Sequence, residues 1–122
     1  MKYAAIPVLI LMCAACSSND AEEEELPPDI DCSTVQVVPK FAEVQAFQTV
    51  CTNCHSTTKV GGDRNGAPSE INFDDYASAS SHAEQAAIEV NVGAMPPESS
   101  GLSLTATQKT TLFDWTMCGA PR

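Results

Sequence analysis

Cys51-Thr52-Asn53-Cys54-His55 is the stretch that decides how this 122-residue chain is read. Two thiols three positions apart, followed at once by an imidazole, form the arrangement that attaches a haem covalently. Cys51 and Cys54 can add across the two vinyl groups of a porphyrin, and His55 then stands beneath the iron as its proximal ligand. A Cys-x-x-Cys pair alone also suits a thiol–disulfide centre or half of a zinc site. The first needs a βαβ setting, and no strand pattern precedes Cys51. The second needs two further ligands at matching spacing, and Cys32, Cys118 and His82 each stand isolated. The adjacent histidine favours one covalent haem c.

Upstream of the motif, a helix is expected from near Pro39, since proline is tolerated at a first helical position. Phe41, Val44, Phe47 and Cys51 then fall on one helical face that runs into the motif. Downstream, Ser56 to Glu70 reads as a polar loop punctuated by Gly61-Gly62, Asn65-Gly66 and Pro68, with no strand. Asp74 or Asp75 can cap a short turn carrying Tyr76. Another helix is expected around 80–92, with Ala83, Ala87 and Val90 on one face and Gly93 as its stop. The last helix opens on the capping-box pattern Thr105-Ala106-Thr107-Gln108. Leu112 and Trp115 share a face of it, Gly119 can end it and Pro121 prevents its continuation. The expected fold is all-α: a small helical domain with long loops around one covalently attached haem. A chain of this size has a modest core, to which a porphyrin would add apolar volume.

An iron held by one histidine has a second axial side. Met1 and Met12 belong to the amino-terminal leader and Met117 lies beside Cys118, which leaves Met95 and His82. Met95 occurs in Val92-Gly93-Ala94-Met95-Pro96-Pro97, where glycine and prolines can fix the backbone so that the thioether points at the iron. His82 is expected to face solvent from a helix, and is the second candidate.

Residues 39–121 resemble a class I monohaem cytochrome c of the short bacterial periplasmic kind. The pieces that carry the resemblance are Cys51 to His55, Gly93-Ala94-Met95-Pro96-Pro97, and the ending Leu112 to Trp115 with Cys118-Gly119-Ala120-Pro121. The resemblance implies first and last helices that cross nearly at right angles, with Phe47 meeting Leu112 and Trp115. The family often has glycine eight residues before the first haem cysteine, where this chain has Glu43. It also implies a proline carbonyl accepting a hydrogen bond from the proximal imidazole, and Pro68 is the candidate; the alternative is an ordinary loop proline. Cys32 and Cys118 open and close the domain. In an oxidising compartment they can form a disulfide, the alternative being two free buried thiols.

The amino terminus reads as a secretory signal over residues 1–15: a basic start, an apolar run from Ala4 to Met12, then small residues. That run is too short for a permanent membrane span. Ala14-Ala15-Cys16-Ser17 resembles a bacterial lipoprotein box in which Cys16 is acylated, though Cys13 stands where that pattern usually has leucine. The alternative is plain secretion with cleavage nearby. Residues 16–31 form an acidic tether with seven carboxylates, no basic residue and Pro27-Pro28, which cannot bury a core. The domain spans 32–122. The whole chain carries −10, but from Cys32 onward nine acidic residues face five basic ones. That mild acidity disfavours nucleic-acid binding, for no basic patch is present to neutralise phosphates.

The sequence therefore leads to an expectation of a periplasmic or cell-envelope electron carrier with His55/Met95 ligation, anchored by lipid and serving redox proteins whose identity it does not give. It is not expected to be an enzyme in its own right, since no carboxylate pair or Ser/His/Asp arrangement is evident. The alternatives are the cytochrome subunit of a larger oxidoreductase, or a haem protein that binds a small molecule.

Overall fold

The computed structural model describes residues 27–122. The expected signal peptide, the Cys16 acylation site and most of the tether lie outside these residues. Among the described residues there are four α-helices and four short 3-10 turns, and no strand. The domain is all-α, as its periodicity predicts.

The expected continuous helix from Pro39 into the haem motif is instead three pieces. A 3-10 turn at Phe41–Glu43 is followed by α1 at Gln45–Thr49, and then by a second turn at Cys51–Asn53. The chain leaves helical geometry at Val44 (φ −77°, ψ 83°) and bends again at Val50 (φ −120°, ψ −60°). Side chains bond to carbonyls along this interrupted segment. Gln48 Nε2 donates to Ala42 O at 2.6 Å, and Asn53 Nδ2 to Thr49 O at 2.9 Å and Val50 O at 3.0 Å. Polar side chains that bond locally to backbone are known to divert it from helix in this way. The first turn is also pulled toward the carboxyl terminus, because Phe41 N–H donates to Pro121 O at 3.0 Å. The apolar stripe nonetheless points inward: Val44 and Phe47 are buried, and Phe41 and Cys51 pack against the core.

Of the two neighbouring aspartates, Asp75 is the cap: its carboxylate accepts from Ser78 N–H at 3.0 Å and starts α2 at Tyr76–Ser81. The helix expected around 80–92 is divided at His82 into α2 and α3 (Ala83–Asn91). Its predicted inner face is retained, with Ala83, Ala87 and Val90 all buried. Gly93 follows at φ +79°, a left-handed conformation that suits glycine at a helix stop.

The last helix, α4 at Ala106–Met117, carries both halves of the capping box. Gln108 N–H donates to Thr105 Oγ1 at 3.2 Å, and Thr105 N–H to Gln108 Oε1 at 2.9 Å. α4 packs against α3 and α1. Its fully buried Leu112 and Trp115 sit at the centre of the core. The Trp115 ring meets Phe47 edge-on at 5.1 Å, and Phe47 stacks on Phe73 at 4.9 Å. The Phe47–Trp115 contact implied by the family resemblance is present. Glu43 is solvent-exposed and accepts from Lys40 N–H at 2.7 Å.

Cys32 and Cys118 form a disulfide, with sulfurs 2.06 Å apart. An Asp31 turn, in which the carboxylate accepts from Ser33 N–H at 3.0 Å and Ser33 Oγ at 2.7 Å, sets the leader where Cys32 reaches the end of α4.

Candidate functional site

A cavity of about 340 Å³ opens beside the Cys51–His55 segment, within the range of small-molecule and cofactor sites. Its wall includes Cys51, Cys54 and His55 from the turn after α1, and Met95 from the loop after α3. The sequence-predicted residues thus converge on one cavity. Phe47, Phe73, Val90 and Leu112 give it an apolar lining.

His55 is held from several directions. Its backbone carbonyl accepts from Phe73 N–H at 2.9 Å, and its ring lies edge-on to Phe73 at 5.3 Å. Its Nδ1 is 3.3 Å from Ile71 O, which makes Nε2 the nitrogen that can ligate. The carbonyl that orients the imidazole is therefore Ile71 and not Pro68. Pro68 O is occupied by the Arg64 guanidinium and by Ile71 N–H at 3.3 Å. Immediately after His55, the Asp74 carboxylate accepts from Ser56 Oγ at 2.8 Å, Thr57 Oγ1 at 2.7 Å and Thr57 N–H at 2.9 Å.

The backbone of Met95 is also fixed. Ala94 N–H and Met95 N–H both donate to Glu89 O, at 2.9 and 3.0 Å, so the end of α3 wraps the loop onto itself. The Met95 side chain is 37% exposed. His82, expected to face solvent, is instead half-buried and on the cavity wall, because the break between α2 and α3 turns it inward. Its Nδ1 lies 2.8 Å from Ser78 O.

Burial pushes the Cys51 thiol up to about 12, with nearby Cys54 adding to the rise and a backbone hydrogen bond opposing it. Cys51 is thus a protonated thiol at neutral pH, unlike the depressed thiols of disulfide exchange centres. For His55, burial depresses the pKa, the Ile71 carbonyl pulls it up, and the Arg64 charge lowers it further; the net effect is downward. The imidazole is therefore kept neutral, the form that ligates metals. Among the described residues, no three or more His, Cys, Asp or Glu side chains converge as a metal-binding group.

The residues fit a covalently held, axially ligated porphyrin: two thiols and an oriented neutral imidazole share a mostly apolar cavity with a thioether. The supporting residues Arg64, Ile71, Asn72 and Asp74 escape sequence reading. Arg64 is the one cation within the glycine-rich stretch Gly61-Gly62-Asp63-Arg64-Asn65-Gly66, a faint signal that the loop needs a donor. No known family model, curated protein or solved structure matches this chain.

Proposed function

We propose that residues 32–122 form a class I cytochrome c-like domain holding one haem c, and that the protein is an electron carrier. Cys51 and Cys54 would hold the group as thioethers, each S–H adding across one vinyl group without net oxidation. His55 would bind the iron through Nε2, and Met95 would supply the other axial ligand. The bound iron supplies reversible one-electron transfer, and a His/Met ligand pair raises its potential. The chain's part is to orient the imidazole through Ile71 O, hold the Met95 backbone through Glu89 O, and keep the inner wall apolar. The observation that carries this reading is the convergence of Cys51, Cys54, His55 and Met95 on one cavity. We further propose the periplasm or cell envelope as its place, with Cys16 as a lipid anchor and redox proteins as partners.

The test is expression of the full chain in a host that matures cytochromes c, followed by redox titration with absorption spectra of both states. His55→Ala should abolish stable ligation. Met95→Ala should leave haem attached, open the sixth position and lower the potential. An unchanged spectrum in the Met95 variant would transfer that role to His82, and a colourless wild-type protein would sink the reading. The exposure of Met95 favours one competing view, a haem site with a displaceable ligand that binds a small molecule. Rapid carbon monoxide binding by the ferrous wild type at neutral pH would establish that view over the closed carrier.

A further inference from the structure

Arg64 is a buried cation to which the reading above gives no role. Only 6% of it is exposed, and it forms part of the cavity wall with His55. Its guanidinium has five N–H donors. Nε donates to Ala67 O at 3.0 Å. One terminal nitrogen donates to Ser56 O at 2.7 Å, Lys59 O at 3.3 Å and Asn72 Oδ1 at 3.0 Å. The other donates to Pro68 O and to Ile71 O, the latter at 2.9 Å. Every acceptor is a neutral oxygen, so the charge is solvated by the loop but not neutralised by a carboxylate. With the donor set so occupied, the guanidinium is not a vacant anion site. Burying a cation costs free energy unless its hydrogen bonds are met, and here they are met by five backbone carbonyls and one side-chain amide oxygen of the loop.

Two consequences meet at Ile71 O, which accepts from Arg64 and also faces His55 Nδ1. We infer that Arg64 is the positioning residue of the site: it fixes the 56–72 loop and the carbonyl that orients His55, and its unneutralised charge favours the reduced state of the centre. The second part rests on the haem reading proposed above. A fixed positive charge in a low-dielectric wall favours whichever redox state carries less positive charge, which is the ferrous one.

The two parts separate experimentally. Arg64→Lys keeps the charge but offers three donors in place of five, so the loop should loosen while the potential holds. Arg64→Met removes both. Asn72→Asp keeps the guanidinium and an oxygen acceptor beside it, and adds a compensating negative charge; it loses only the exposed bond from Asn72 Nδ2 to Ser69 O at 2.9 Å. The full haem-loaded chain is poised at the wild-type midpoint, and the ratio of oxidised to reduced protein is read from the absorption spectrum. Arg64→Met and Asn72→Asp should each move that ratio at least tenfold toward oxidised, about 59 mV for a one-electron couple. Arg64→Lys should move it less than threefold while lowering the melting temperature. Should Arg64→Met fail to fold, Asn72→Asp decides. A shift below twofold in Asn72→Asp, or a shift in Arg64→Lys as large as in Arg64→Met, overturns the charge-setting role. A wild type without redox-sensitive absorbance overturns the haem reading together with this inference, whereas a redox-active wild type with silent variants overturns this inference alone.

Discussion

Removing the Cys32–Cys118 bridge tests how this domain holds its ends together. The bridge joins positions 86 apart in sequence, so it closes nearly the whole domain into one loop. On the chain-entropy model, opening a loop of about 87 residues restores about 4.6 kcal/mol of conformational freedom to the unfolded chain. A domain of this size has about 5–14 kcal/mol of stability in all. The loss is therefore at least about a third of the total, and at about 4–8 °C per kcal/mol it predicts a melting temperature lower by roughly 20–35 °C. The leader has little packing to replace the bond: residues 31–34 are exposed and Val37 is 80% exposed. The perturbation is the Cys32→Ser/Cys118→Ser double variant, which leaves Cys51 and Cys54 untouched. Guanidinium unfolding followed by circular dichroism gives both the free energy and its denaturant slope, and the slope should rise because the unfolded chain expands. A loss below about 0.5 kcal/mol with an unchanged slope would refute the entropic argument. Alkylation of Cys32 and Cys118 in unreduced native protein would refute the bridge itself.

Three further outcomes follow from particular contacts. Trp115→Phe removes the bond from indole Nε1 to Pro121 O at 2.8 Å and shrinks a fully buried side chain. Because Pro121 O keeps Phe41 N–H, no acceptor is orphaned, and the expected cost is about 2–3 kcal/mol by chemical denaturation; a cost under about 1 kcal/mol would contradict the packing described. Burial works to raise the Asp74 carboxyl, but its hydrogen bonds from Thr57 and Ser56 outweigh that and hold it below its ordinary value of 3.8. A depressed folded-state pKa stabilises the protein above the unfolded-state value and ceases to do so as pH falls through the folded one. Wild type should thus lose melting temperature below about pH 4 more steeply than Asp74→Asn, and parallel acid limbs would count against the clamp. Thr105→Ala breaks half of the α4 capping box and should cost about 1 kcal/mol, with faster amide exchange at Gln108; unchanged exchange there would disprove the cap's role.

How much of this was legible in sequence depends on whether the determinants are local. α4 is read almost completely, because its cap, apolar face and stop all lie within the segment itself. α1 is not, because its breaks depend on Gln48 and Asn53 bonding to carbonyls and on Phe41 reaching Pro121 at the far end of the domain. The same distinction runs through the site. Cys51, Cys54, His55 and Met95 are identified by spacing and by neighbouring glycine and proline, and all four reach the cavity. The sequence offers Pro68 only as a candidate for the carbonyl facing His55, where the structure has Ile71, because periodicity says nothing about the path of an irregular loop. Arg64 holds both Pro68 O and Ile71 O, and of the two it is Ile71 O that faces the imidazole. His82 is misread for a related reason: the helix expected through it is broken there, which changes the face it presents.

The loop between His55 and Phe73 has no strand to satisfy its carbonyls and only a short 3-10 turn at Gly61–Arg64. Five of its backbone carbonyls, those of Ser56, Lys59, Ala67, Pro68 and Ile71, are met by the guanidinium of the one buried arginine. The loop's far end returns to the core at Phe73, whose amide holds His55 O while its ring stacks on Phe47 and meets the imidazole edge-on. Phe47 in turn packs on Trp115. His55 is thus supported by a polar network on one side and by the aromatic core on the other, both joined through residues 71–73. Core variants such as Trp115→Phe should therefore perturb the His55 environment as well as stability, because Phe73 belongs to both.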